Sequence, residues 1–206
     1  LSTIPINNGM KTVGPITVSA TYGNVNKTIP SNRFWNTALE VSTLSVIPSG
    51  VWVVNIYAKV AATSDANQLS LHAGIFMITG TGSQPSADSI IIETGDGGDS
   101  GYYPPRAAYL PSHIKYIGKS WTNEDNVLDA SSGAVINSTN VKLYKLEIPV
   151  EFMTLKDSSG NSNNVYVQLQ IYIKNTKTAN QSANAYLYYQ TDFSSNVTTY
   201  SYLQTT

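Results

Sequence analysis

The stretch Gly50-Val51-Trp52-Val53-Val54-Asn55-Ile56-Tyr57-Ala58-Lys59-Val60 decides the fold class. Successive side chains of an extended strand point to opposite faces. Trp52, Val54, Ile56 and Ala58 therefore share one face, and Val51, Val53, Asn55, Tyr57 and Lys59 share the other. The preceding Pro48, Ser49 and Gly50 force a turn, so the segment is read as a central strand over 51–60. Outward from it the same signature repeats. After a polar loop at 63–68, the run 69–79 reads as an antiparallel partner of 51–60. The segment 142–155 alternates through Tyr144, Leu146 and Ile148 up to Pro149. In 165–173 the apolar Val165, Val167, Leu169, Ile171 and Ile173 oppose Tyr166, Gln168, Gln170 and Tyr172.

Further strands are expected at 16–21, 34–46, 90–93, 114–121, 135–136, 185–190 and 197–203, and helices are expected to be minor or absent. About eight to ten short strands separated by Ser, Asn and Gly clusters suit an all-β fold. The expected architecture is a two-sheet antiparallel jelly-roll (Greek-key) sandwich. Its inter-sheet core is expected to contain Trp52, Val54, Ile56, Leu146, Ile148, Leu169 and Ile171. No repeat, charge block or proline-rich linker divides the 206 residues, so a single domain over 1–206 is expected. A start at Leu1 is what the C-terminal head of a longer chain would show.

Composition narrows the function. Only 12% of residues are charged, about half the usual share, while 41% are hydrophobic. Serine, threonine and asparagine make up roughly a third of the chain and are expected to form the surface. A formal charge of −1 leaves no electrostatic footprint for nucleic acid or an anionic membrane. No apolar stretch approaches the roughly 20 residues of a membrane span. The absence of cysteine excludes disulfides, thiolate metal sites and a cysteine nucleophile.

The segment from Pro48 to Ala58 resembles the strand-opening motif of the tumour-necrosis-factor and complement globular-head superfamily. Its glycine leads into alternating aromatic and apolar residues. Related jelly-roll domains form the heads of viral and phage fibres and parts of large-DNA-virus structural proteins. Tyr186, Leu187, Tyr188 and Tyr189, followed by Ser194, Ser195, Val197, Thr198 and Thr199, are similar to their closing strands. The resemblance implies a homotrimer packed through aromatic strand faces, with Tyr57, Tyr166, Tyr172, Tyr188, Tyr200 and Tyr202 as interface candidates. Tyrosines also populate half-buried β-faces with no partner at all.

Catalytic signals fail on context. Gly98-Asp99-Ser100-Gly101 copies the nucleophile string of trypsin-like proteases, but neither His72 nor His113 stands in a triad setting. Two distant histidines nominate no zinc site. Glu93, Asp96 and Asp99 are a weak calcium candidate, and Glu124, Asp125 and Asp129 a weaker one. Both groups are expected to be solvated loops, so no cofactor is expected. The N-x-[ST] strings at Asn26, Asn137, Asn180 and Asn196 are what an Asn-, Ser- and Thr-rich chain gives by chance.

The loop 95–112 is much longer than a usual connection of about 4–6 residues. Its Tyr102, Tyr103, Arg106 and Tyr109 are hot-spot residue types and form the candidate binding site. The expected function is non-enzymatic: a virion structural or receptor-binding protein at the virion surface or outside the cell. Its expected partners are copies of itself, other virion proteins, or a host receptor or glycan. A secreted binding module, either a trimeric ligand or a carbohydrate-binding sandwich using Trp35, Trp52 and Trp121, is the alternative. A β-sandwich hydrolase ranks last.

Overall fold

The computed structural model describes residues 2–5, 12–18, 20–21, 25–26, 28–30, 46–79, 107, 110, 112–122, 132–156, 165–176, 181, 183–188 and 202–205. The described residues include antiparallel strands and a 3-10 turn, Thr63–Asp65, with no α-helix among them. In chain order the strands are β1 (Ser2–Pro5), β2 (Thr12–Val18), β3 (Ala20–Thr21), β4 (Val25–Asn26), β5 (Thr28–Pro30), β6 (Val46–Ile47), β7 (Gly50–Val60) and β8 (Leu69–Thr79). Then come β9 (Ile114–Lys119), β10 (Ala134–Ile136), β11 (Lys142–Val150), β12 (Met153–Thr154), β13 (Val165–Asn175), β14 (Ala183–Tyr188) and β15 (Tyr202–Thr205).

One sheet contains all but four of these strands, and it curls into two halves over a shared core. In the first half β7 pairs with β11 along one edge. Along its other edge it pairs with β14 through 57–60 and with β15 through 53–55. In the second half β8 pairs with β13 along its whole length, and its other edge is shared by β9 and β10. A single β11–β9 pair, Val150 with Gly118, joins the halves. Four pairs are nested in sequence: β8 with β9, β7 with β11, β5 with β13 and β2 with β14.

The expected core is present. Trp52, Val54, Ile56, Leu146, Ile148, Leu169 and Ile171 are buried in one cluster with Leu71, Ala73 and Ile75 of β8. Alternation positions those of β7 and β11, whose inward side chains are buried at every second residue.

Two expectations are corrected. The 69–79 segment is a strand, but it pairs with β13, β9 and β10 and does not pair with β7. Its ten consecutive buried residues fit a strand covered on both faces, which crosses to the other half of the sheet instead of turning back beside its predecessor. The polar-aromatic side of β13 is likewise covered, since Gln170 and Tyr172 are both buried.

The cover is the chain leaving β9. Trp121 lies over Gly74, where an added Cβ would come within 3.0 Å of the indole. The indole meets Tyr172 and Tyr116 edge-on at 5.6 and 6.0 Å between centroids, and Tyr116 stacks on Phe76 at 4.5 Å. Ser120 closes the gap along the β8 edge, with its N–H donating to the Ala73 carbonyl and its Oγ accepting from the Ala73 N–H. At β9 the register shifts between Ile75 and Phe76, which skips Ile117 and leaves it in the core.

Candidate interaction face

Among the described residues, β8 and the 169–173 part of β13 are buried on both faces, while the outer face of the first half is exposed at Val51, Leu143, Lys145, Glu147 and Pro149. Outward positions of β7 fall in register with those of β11 and β14, so one row reads Tyr188, Tyr57, Leu143 across three strands. The next rows along β7 and β11 are Asn55 with Lys145, Val53 with Glu147, and Val51 with Pro149. Beyond the tyrosine row, Lys59 pairs with Tyr186 and places its ammonium 5.1 Å from the ring centroid, a cation–π contact.

Exposure on this face is graded. Leu143 is 36% exposed and Val51 is 43% exposed, while Lys145, Glu147 and Pro149 are also exposed. Tyr57, Lys59, Tyr186 and Tyr188 are half-buried. Asn55 is buried, and its Nδ2 donates to the Val53 carbonyl at 3.3 Å. Such a surface has Leu143 beside the tyrosines at one end, Val51 and Pro149 at the other, and opposite charges between them.

The structure gathers some of the tyrosines expected at an interface and separates others. Tyr57 and Tyr188 are directly paired, and Tyr202 on β15 pairs with Asn55 two residues away. Tyr166 lies on β13 opposite Ile78, in the other half of the sheet. Tyr172 is 1% exposed, so its ring is interior to the protomer and its hydroxyl donates to Gln170 Oε1. It was expected on an outward face because β13 alternates; the cover supplied by Trp121 lies far away in sequence. Tyr200, the loop candidates Tyr102, Tyr103, Arg106 and Tyr109, and the acidic Glu93, Asp96 and Asp99 lie outside the described residues.

Trp52 and Trp121 are both buried and offer no sugar platform, and Trp35 is outside the described residues. Leu143, Lys145, Glu147 and Tyr186 were not anticipated at this face. Their signal was available in 142–150, where the polar phase of the alternation contains a leucine and a proline.

Ser70 Oγ and His72 Nε2 are 2.9 Å apart, the composition of a nucleophile and base. Both are buried, and Gly133 packs so closely on the imidazole that an added Cβ would lie 2.5 Å from Cε1. A substrate has no approach to this pair. Among the described residues no three His, Asp or Glu side chains cluster as metal ligands, and no helix is long and apolar enough to cross a membrane. Comparison with protein families, curated proteins and solved structures finds no match to this chain.

Proposed function

We propose that the chain is a non-catalytic jelly-roll domain that works by assembling with copies of itself and binding through its surface. In this reading it is a structural or receptor-binding head of a virus or phage particle. The nested order β8–β9, β7–β11, β5–β13 and β2–β14 supports the jelly roll, because one long hairpin rolled on itself gives that order. The contrast between the two outer faces carries the assembly reading. One half is covered over β8 and β13 by Trp121 and Tyr116, while the other leaves Val51, Leu143, Lys145, Glu147 and Pro149 exposed. A cysteine-free domain gains stability by covering such a face with another subunit.

The resemblance implies three copies and a location on a particle surface or outside the cell. The alternative of a sugar-binding sandwich loses Trp52 and Trp121 as platforms. Equilibrium sedimentation of the chain over about 1–500 μM tests self-association, a range that spans weak to firm interfaces. A mass rising with concentration toward a multiple of the 22.3 kDa chain is the expected result. A constant monomer mass would remove the reading.

A further inference from the structure

Composition accounts for the number of N-x-[ST] strings in this chain, but not for where the fold puts them. Asn137-Ser138-Thr139 lies in the connection from β10 to β11, and Asn137 and Thr139 are both exposed. Asn180 and Asn196 lie outside the described residues, as does the side chain of Asn26. The backbone around Ser138 is pinned to the sheet. The Val60 N–H donates to the Ser138 carbonyl at 2.9 Å, and the Asn140 N–H donates to Ser138 Oγ at 3.0 Å. Tyr144 holds Asn137 from one side: its hydroxyl accepts from the Asn137 N–H at 3.2 Å and donates to Asn137 Oδ1 at 3.3 Å. Oδ1 is therefore turned to the protein. Nδ2, across the carboxamide, and the Thr139 hydroxyl have no hydrogen-bond partner among the described residues. These are the two groups that asparagine glycosylation uses, the amide nitrogen as the atom modified and the hydroxyl two residues on as the group recognised.

We propose that Asn137 is the acceptor of an N-linked glycan. The donor is a lipid-linked oligosaccharyl diphosphate, presented by a membrane transferase. Nδ2 attacks the anomeric carbon of the sugar, so that a C–N bond forms and the bond from that carbon to the diphosphate oxygen breaks. The lipid diphosphate leaves with the electron pair, and Nδ2 gives up one proton. The product keeps the Asn137 backbone N–H and Oδ1, so both contacts to Tyr144 survive. A chain meets this donor on export, so the proposal rests on the reading of a location outside the cell.

The surroundings suit a glycan. Val135, Val141 and Leu143 are three of the six large hydrophobic residues exposed among the described residues, and all lie within six positions of Asn137 in sequence. Sugar rings present apolar C–H faces beside their hydroxyls. A glycan here shields that apolar surface and adds solubility to a chain with few charges.

The test expresses the whole chain behind an export signal in cultured eukaryotic cells and reads the occupancy of each asparagine by peptide mass spectrometry, before and after treatment with an N-glycan amidase. Wild type is compared with Asn137→Gln, Thr139→Ala and Thr139→Ser. The peptide containing Asn137 should carry the glycan in wild type and in Thr139→Ser, which keeps the hydroxyl. It should lose the glycan in Asn137→Gln and in Thr139→Ala. Occupancy is read on the peptide, so it is scored whether or not a variant folds. An exported wild-type chain with Asn137 bare, or a glycan at Asn137 that survives Thr139→Ala, overturns the proposal. The signal supplies the compartment, so a bare Asn137 counts against the site and not against the reading of location, and self-association is read separately by sedimentation.

Discussion

Ile56 is fully buried on the inward phase of β7, between the strands that link the two halves. Ile56→Ala removes buried carbons and leaves a cavity, so it should cost about 2–5 kcal/mol, read from the shift in a urea unfolding curve. A loss below about 0.5 kcal/mol would mean that the site collapses or that the inward phase is wrong. Trp52 shares that phase, but its buried indole N–H has no hydrogen-bond partner, a group that typically costs about 1–3 kcal/mol. Trp52→Phe should therefore cost less than the lost ring volume suggests. Burial pushes the Tyr172 phenol far above its usual value, and desolvation followed by the charge of Tyr172 pushes Tyr116 up as well. Both stay neutral in the folded protein while the unfolded chain ionises near pH 10. Their contribution is complete below about pH 10 and is lost as pH rises above it. The urea midpoint should fall above that pH, and less steeply in Tyr172→Phe. Ionisation of all 14 tyrosines near pH 10 in folded protein, read by absorbance, would contradict this.

At the scale of elements, β7 and β11 were legible because each has one buried face, so period-two alternation survived in the sequence. The pairing of β8 was not. A strand buried on both faces shows a continuous apolar run, and such a run carries no information about which neighbour it takes. The burial of Tyr172 was equally hidden, since it depends on Trp121, which is 51 positions before it in sequence. Trp121→Ala should cost about 3–5 kcal/mol and unseal the outer side of β8 and β13, with increased binding of a hydrophobic dye to the folded state. Glu147→Lys, on the open side of β11, should change monomer stability by less than about 0.5 kcal/mol. Gly118 is held by contact and not by conformation. A Cβ there would come within 2.6 Å of the Pro149 carbonyl and 2.7 Å of Ile148, so Gly118→Ala should weaken the junction of the two halves.

The whole molecule is asymmetric across its core. One half carries its own cover over β8 and β13, and the other exposes Leu143, Lys145 and Glu147 of β11 beside the half-buried Tyr57 and Tyr188. The sequence contained the tyrosines but not their sorting, because only the register between distant strands distinguishes Tyr57 and Tyr188 from Tyr172. The loop residues Tyr102, Tyr103, Arg106 and Tyr109 fall outside the described residues, and their role rests on residue type alone. Radical footprinting of side chains in dilute and concentrated protein reads the asymmetry directly. The account predicts that Tyr57, Tyr186 and Tyr188 lose reactivity as concentration rises, while Tyr116 and Tyr172 remain protected throughout. Unchanged reactivity of Tyr57 and Tyr188 across that range, or strong labelling of Tyr172 in folded protein, would contradict it.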